Sequence, residues 1–186
     1  MLNETWKKLQ NGSDIRGVAM EGVEGQPVNL TPEIAKQIAC SFGAWLSERT
    51  GKLLSELTVA VGNDSRLSAG ELNGAVTQGL SMLGITVVDC GLCSTPAMFM
   101  TTVMEGYRYD GSVMLTASHL PFNRNGLKFF TKDGGLEKSD ITAILELAQE
   151  KIYTKAGKPG AIKSLDFIQV YAADLVRKIR NKTGEE

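Results

Sequence analysis

The sequence contains few cysteines and lacks any long apolar run. Its three cysteines, Cys40, Cys90 and Cys93, are an odd number in a chain of 186 residues, which favours reduced thiols over a disulfide framework. No apolar stretch approaches the length of a transmembrane helix, and the polar residues up to Gly12 leave no room for a signal-peptide core. We therefore expect a cytoplasmic protein without a membrane partner.

A strong excess of either charge is also missing. The formal net charge is -1, with 22% charged and 42% apolar residues, which is typical of an ordinary folded domain. This balance predicts no nucleic-acid partner. The length predicts a single domain over residues 1–186. We expect its core at about 12–155 and a C-terminal helix at about 164–181, with the segment 156–161, rich in glycine, lysine and proline, as the linker.

Five segments have the apolar spacing of amphipathic helices, and four short runs are typical of strands. The predicted helices begin near Thr31, Ser68, Thr95, Ser139 and Ser164. Thr31 and Thr95 are each followed by proline, the combination of an N-cap and a proline at the first helical position, and Ser68 with Glu71 predicts a capping box. The predicted strands cover 57–61, 85–88, 113–116 and 127–131.

The order of these elements predicts the fold class. The first three strands alternate with helices, as parallel βαβ units do. Only the loop 117–126 joins the last two strands, which favours an antiparallel pair. We therefore predict an α/β fold, a three-layer α/β/α arrangement whose mixed, mostly parallel sheet ends in an antiparallel hairpin.

Polar side chains are concentrated in the loop between those last two strands. Ser118 and the chain's single histidine, His119, follow one strand, and Lys128 begins the next. A serine hydroxyl in this position could act as a nucleophile or carry a phosphoryl group. A phosphoserine has about -1.5 to -2 charges at neutral pH and therefore needs cationic neighbours.

Other interpretations of these residues are open at this point. The loop could be a simple surface turn, with His119 a half-buried histidine. A Ser-His-Asp hydrolase is disfavoured because neighbouring side chains rarely face each other and because no G-x-S-x-G motif surrounds Ser118. Cys90 and Cys93 form a C-x-x-C that could be a redox pair or half of a zinc site, but no second pair accompanies it.

Four segments resemble one known family. Thr116–Pro121, followed by Asn125–Lys128, resembles the active-serine loop of the α-D-phosphohexomutases, the family of phosphoglucomutases and phosphomannomutases. Three further segments are similar to that family's motifs in the same order: Ser13–Gly17 to its D-I-R-G element, Val61–Arg66 to its G-x-D-x-R turn, and Gly91–Pro96 to its T-P segment. The resemblance extends over about 14–135.

The resemblance implies a function and a set of site residues. In this family a phosphorylated serine donates its phosphoryl group to a hexose phosphate and recovers one from the bisphosphate intermediate, which interconverts 1-phosphates and 6-phosphates. By position, Ser118, His119, Lys128 and Arg16 would be catalytic, and Arg16, Ser118, Lys128 and Asn125 would bind phosphate. Ser118 would contact Mg²⁺ through its phosphate only, and glucose or mannose bisphosphate would be the activator. The threonine before Ala117 favours glucose or mannose phosphate over glucosamine phosphate as substrate.

The sequence departs from the family in two respects. Leu120 occupies the position of the usual asparagine, for which Asn123 or Asn125 could compensate. The family's later magnesium, sugar and phosphate loops do not occur in the chain. We therefore expect the remaining mutase domains and a hexose phosphate as partners, and an isolated domain without activity. The alternative is a non-catalytic α/β binding or interaction module. Asp64 and Arg66 are interpreted as an ion pair or turn contact that fixes their loop.

Overall fold

The computed structural model describes residues 1–184. Its helices are α1 (Glu4–Lys7), α2 (Pro32–Thr50), α3 (Ala69–Met82), α4 (Thr95–Val103), α5 (Lys138–Glu150) and α6 (Phe167–Thr183). Its strands are β1 (Gln10–Asn11), β2 (Asp14–Val18), β3 (Thr58–Asn63), β4 (Thr86–Leu92), β5 (Gly111–Leu115), β6 (Arg124–Thr131), β7 (Gly134–Gly135) and β8 (Ile162–Ser164). A single 3₁₀ turn, Leu54–Glu56, precedes β3.

The strands form one mixed sheet in the order β1-β2-β6-β5-β3-β4-β8, with β7 paired to β6. Strand β3 is parallel to β4 and β5, and β4 is parallel to β8. Strand β6 is antiparallel to its neighbours β2 and β5. Six strands therefore point one way, and β1 and β6 point the other, because β2 and β7 lie antiparallel to β6 as β5 does.

Helices cover both faces of the sheet, and each face has its own apolar core. On one face α2, α3 and α5 pack on a core that includes Phe42, Val76 and Ile144. On the other face α4 and α6 pack on a smaller core around Met98 and Phe167. The predicted fold class, three layers with a mixed and mostly parallel sheet and an antiparallel β5–β6 hairpin, is confirmed. None of the helices within residues 1–184 combines the length and apolar character of a membrane span.

The predicted helices are present, but the caps predicted for α3 and α4 and the start predicted for α6 were wrong. Ser68 precedes α3, but its side chain forms no cap; its hydroxyl accepts a hydrogen bond from Asn125. Helix α4 is capped by Ser94 rather than Thr95, and Thr95 is already helical. Helix α6 begins at Phe167, since Ser164 belongs to β8.

Four strands have no clear signal in the sequence: β1, β2, β7 and β8. Strands β1 and β7 have two residues each, and β8 is exposed throughout. The predicted linker 156–161 leads from α5 to β8 and is bound to the end of α3. Ser81 donates to the carbonyl of Gly160 at 2.7 Å, and the Gly160 amide donates to the carbonyl of Ser81 at 2.8 Å.

Candidate active site

The loop between β5 and β6 presents an exposed serine at the carboxyl edge of the parallel strands. Ser118 has φ of +54°, a left-handed conformation that is uncommon for residues other than glycine. Its amide donates to Thr116 Oγ1 at 3.0 Å, and the Thr116 hydroxyl donates to Asp64 Oδ2 at 2.7 Å. The turn after β3 therefore supports the turn after β5.

A single arginine holds most of this serine loop in place. Arg66 Nη1 donates to the carbonyls of Pro121 and Arg124 at 2.8 and 2.9 Å. Its Nη2 donates to the carbonyls of Ser118 and Leu120, both at 2.8 Å. The Arg66 side chain is 12% exposed, and its Nε lies 3.4 Å from Asp64. Because guanidinium is a rigid planar fork with five donors, one side chain fixes four carbonyls at once.

Two cations lie beside the serine loop and share one carboxylate. Lys128 Nζ lies 2.6 Å from Asp14 Oδ1, and Arg16 Nη2 lies 3.1 Å from Asp14 Oδ2. Arg16 also points Nη1 at the carbonyl of Ala117, 3.5 Å away and one residue before Ser118. Arg16 thus reaches the serine loop directly, and Lys128 is linked to it through Asp14.

The β2–β6 pairing explains why these side chains converge. Ile15 pairs with Leu127 and both enter the core under α2, so Asp14, Arg16 and Lys128 project from the opposite face. Gly126 lies opposite Arg16, and a Cβ there would come within 2.3 Å of the Ile15 carbonyl oxygen and 3.0 Å of Arg16 Cγ. The absence of a side chain at position 126 lets the two strands and the Arg16 side chain approach closely.

The remaining candidate residues are placed less uniformly. His119 is exposed, and its Nδ1 lies 3.4 Å from Ser118 Oγ. Asn125 is fully buried: its amide donates to Ser68 Oγ at 2.9 Å, and its oxygen accepts the Gly126 amide at 2.8 Å. Asn123 is buried as well and donates to Gln26. Neither amide is presented at the loop surface. In this structure, therefore, neither takes the place of the asparagine that is usual at the position of Leu120.

Sequence reasoning missed one member of this site and underestimated another. Asp14 was not singled out, although its spacing of two from Arg16 on a strand places both side chains on one face. That signal was readable only once 14–18 was recognised as a strand. Arg66 was interpreted as a local turn contact, but four of its hydrogen bonds reach residues more than 50 positions away.

The structure supports neither proposal for the cysteine pair. Cys90 and Cys93 are buried free thiols, and burial raises the pKa of Cys90 to about 12 and raises the pKa of Cys93 as well. A redox-active cysteine needs the opposite, a lowered pKa and exposure. Within residues 1–184, no group of three or more His, Cys, Asp or Glu side chains is arranged to hold a metal ion.

Fold and site together define a class of protein: a three-layer α/β/α domain with an exposed serine in a loop that an arginine contacts, where the arginine shares a carboxylate with a lysine. Such cations are suited to a phosphate group. The comparison with protein families agrees. Residues 7–155 match the family model described as phosphoglucomutase/phosphomannomutase, alpha/beta/alpha domain I. The chain belongs to this phosphohexomutase family.

Individual relatives bear several mutase names. The chain is 40% identical over 115 residues to a phosphoglucosamine mutase of Nautilia profundicola, covering 61% of this chain and 24% of that protein. It is 35% identical to a phosphomannomutase of Sinorhizobium fredii, covering 69% of this chain and 26% of that protein. It is 32% identical over 182 residues to a phosphoglucomutase/phosphomannomutase of Thermococcus kodakarensis, covering 96% of this chain and 36% of that protein.

A solved structure has the same fold. A phosphoglucomutase/phosphomannomutase family protein from Burkholderia thailandensis superimposes with a TM-score of 0.74 at 26% identity, covering 95% of this chain and 36% of that one. The chain thus spans between 24% and 36% of the length of these four proteins.

Proposed function

We propose that this chain is the phosphoserine-bearing first domain of a hexose phosphate mutase. Ser118 would carry the phosphoryl group between the two ends of the sugar, with a hexose bisphosphate as intermediate and activator. The observation that carries the proposal is the position of Ser118, which follows the Ala117 carbonyl that Arg16 contacts at 3.5 Å. The substrate would be glucose or mannose phosphate, an expectation that depends on Thr116.

The proposed chemistry is mainly positioning and charge neutralisation. Phosphoryl transfer passes through a loose transition state in which the negative charge is spread over the transferring oxygens. Arg16 offers a planar pair of donors to that charge, and Lys128 offers a mobile ammonium group. His119 is a titratable side chain whose Nδ1 lies 3.4 Å from the Ser118 hydroxyl, and it is the candidate for moving that proton.

The described residues fit only part of a magnesium site. Mg²⁺ requires several oxygen ligands in near-octahedral geometry. Asp14 and Asp64 are the carboxylates in contact with the site, and both are engaged by the side chains of Arg16, Lys128 and Thr116. Only a phosphate on Ser118 would therefore contribute a ligand. We propose that the other ligands and the sugar contacts come from the remaining mutase domains, and that the isolated chain is inactive.

The test is the mutase activity of the complete protein that contains this domain. We expect conversion of hexose 1-phosphate to 6-phosphate that depends on Mg²⁺ and a hexose bisphosphate. Ser118→Ala should lower kcat at least a thousandfold, whereas Ser139→Ala, which alters an exposed serine of α5, should leave it unchanged. Mass spectrometry should locate the phosphate on Ser118. Turnover at the wild-type rate in Ser118→Ala would refute the proposal.

A further inference from the structure

We propose that Asp14 is the resident counter-ion of Arg16 and Lys128. It pairs with both cations while Ser118 is unphosphorylated, and it lowers their affinity for a phosphate at that serine. Asp14 is then a positioning residue, since it acts through the two cations and not on the phosphate. The inference rests on the proposed function, because it assumes that phosphate binds beside Ser118.

The contacts of Asp14 are divided between its two oxygens. Oδ1 takes the Lys128 ammonium at 2.6 Å and Oδ2 takes the Arg16 guanidinium at 3.1 Å, so each cation has its own acceptor. The side chain of Asp14 is 11% exposed, and those of Arg16 and Lys128 are 19% and 29% exposed. An ion triad with this little exposure is weakly screened by salt, so its members strongly influence one another's affinity for anions.

The triad has unused capacity for an anion. Two cations and one carboxylate leave a net charge of +1. Arg16 Nε is buried without a hydrogen-bond partner among residues 1–184, and Nη1 makes only the long 3.5 Å contact to the Ala117 carbonyl. An ammonium has three donors, and within the described residues Lys128 uses one, toward Asp14. Nη1 and the free ammonium donors let a phosphate on the neighbouring serine contact both cations, and the phosphate then competes with Asp14 for their charge.

A reversible phosphoryl carrier must release its phosphoryl group, and a carboxylate that pairs with the two cations favours that release. Two cations without a counter-ion would repel each other in the empty site and bind phosphate too tightly to return it. With Asp14 present, phosphate competes for charges that are already paired. Loading and unloading of Ser118 therefore exchange one set of ion pairs for another.

Phosphate affinity of the chain tests this exchange. Inorganic phosphate is titrated into the isotope-labelled protein, and amide NMR shifts of Ala117, Ser118 and Gly126 report binding. Asp14→Asn should lower the Kd for phosphate at least tenfold, because it removes the competing charge at constant size. Asp14→Glu keeps the carboxylate and should stay within threefold of wild type. A purely structural role predicts no gain in affinity.

Asp110→Asn is the matched control. Asp110 pairs with Lys52 at 2.6 Å and accepts the Thr58 amide, so this variant loses a similar ion pair at the opposite end of β5. It should leave the phosphate Kd at the Ser118 loop unchanged. Equal or weaker phosphate binding by Asp14→Asn overturns the inference. If the Ser118 amide shift responds to phosphate in neither wild type nor variants, the proposed phosphate site and this inference are both overturned.

A measurement on the wild-type chain covers the case in which Asp14→Asn does not fold. The side-chain carboxyl ¹³C signal of Asp14 should shift during the phosphate titration with the same midpoint as the Ser118 amide, while that of Asp110 stays fixed. A constant Asp14 signal at saturating phosphate, with Ser118 responding, would show that the cations do not leave the carboxylate.

Discussion

Arg66 makes the geometry of the serine loop depend on one side chain. Lysine has three donors at a single point and cannot reproduce a fork that serves four carbonyls. We expect Arg66→Lys to destabilise the loop by about 1–3 kcal/mol, so that the Leu120 and Arg124 amides, bonded to Ala117 and Pro121, exchange with solvent at least about tenfold faster. Arg49→Lys, at an arginine that is 51% exposed, is the control and should leave these rates unchanged. Unaltered amide exchange in Arg66→Lys would show that the loop conformation does not depend on the guanidinium group.

The left-handed backbone conformation of Ser118 should be strained. A left-handed conformation costs a non-glycine residue about 1–2 kcal/mol, and Ser118 has φ of +54°. Ser118→Gly should therefore raise the free energy of unfolding in urea by about 0.5–1 kcal/mol while removing the hydroxyl. Ser139→Gly, in the first turn of α5, should lower it by a similar amount. A loss of stability in Ser118→Gly would contradict the idea of strain.

Residue types in a motif predict chemistry better than they predict partners. Ser118, His119 and Lys128 could be singled out because the loop that contains them resembles the active-serine loop of a known family, whereas their types and spacing alone left a simple surface turn open. The pairing of Asp14 with Lys128 could not, because it depends on the register of β2 against β6, 114 positions apart in sequence. The burial of Asn125 was also hidden, since an asparagine in a turn is commonly exposed and here its amide meets Ser68.

At the scale of elements, the contact between β2 and β6 determines whether the cations reach the serine. A Cβ on Gly126 would lie 2.3 Å from a backbone oxygen of β2, where nothing flexible can yield. Gly126→Ala should lower the free energy of unfolding by about 1–3 kcal/mol and weaken phosphate binding, because the strands must separate. Gly74→Ala is the matched change: a Cβ there meets nothing within 4 Å, and as a helical position of α3 it should gain up to about 1 kcal/mol. Equal stability of the two variants in urea would refute the close approach.

The elements that sequence reasoning predicted best are those with a long apolar period. Helix α2 begins at the predicted Thr31 cap and ends at Gly51, since both the cap and the left-handed glycine are local signals. Strand β2 was not predicted because its five residues include an aspartate, an arginine and a glycine, a combination that does not indicate a strand. Such departures from local sequence rules are expected next to a functional site. Strand β8 depends on its pairing with β4 rather than on its own exposed residues.

At the scale of the molecule, one sheet separates two apolar cores, and cysteines lie in both. Cys40 belongs to the core under α2, and Cys90 and Cys93 belong to the core under α4. This distribution could not be read from the sequence, where the C-x-x-C spacing drew attention to chemistry rather than burial. Because neither layer of helices can leave without exposing a thiol, the ionisation of these thiols is linked to the stability of the whole domain.

That linkage predicts a loss of stability in alkali. Burial raises the pKa of Cys40 to about 11 and that of Cys90 to about 12, against 9.0 for an unperturbed thiol. Since the raised groups stay protonated in the folded state, their contribution is complete below about pH 8 and is lost as pH rises through 9 toward 11. Between pH 8 and 10, under reducing conditions, the free energy of unfolding in urea should fall by about 1 kcal/mol for each such thiol. Cys40→Ser keeps a hydroxyl donor for the Gly79 carbonyl. Over the same pH range its free energy of unfolding should fall by about 1 kcal/mol less than that of wild type. The tyrosines are common to both proteins, so their ionisation cancels in this comparison. Identical pH dependence in the two proteins would mean that Cys40 ionises as readily in the folded chain as in the unfolded one.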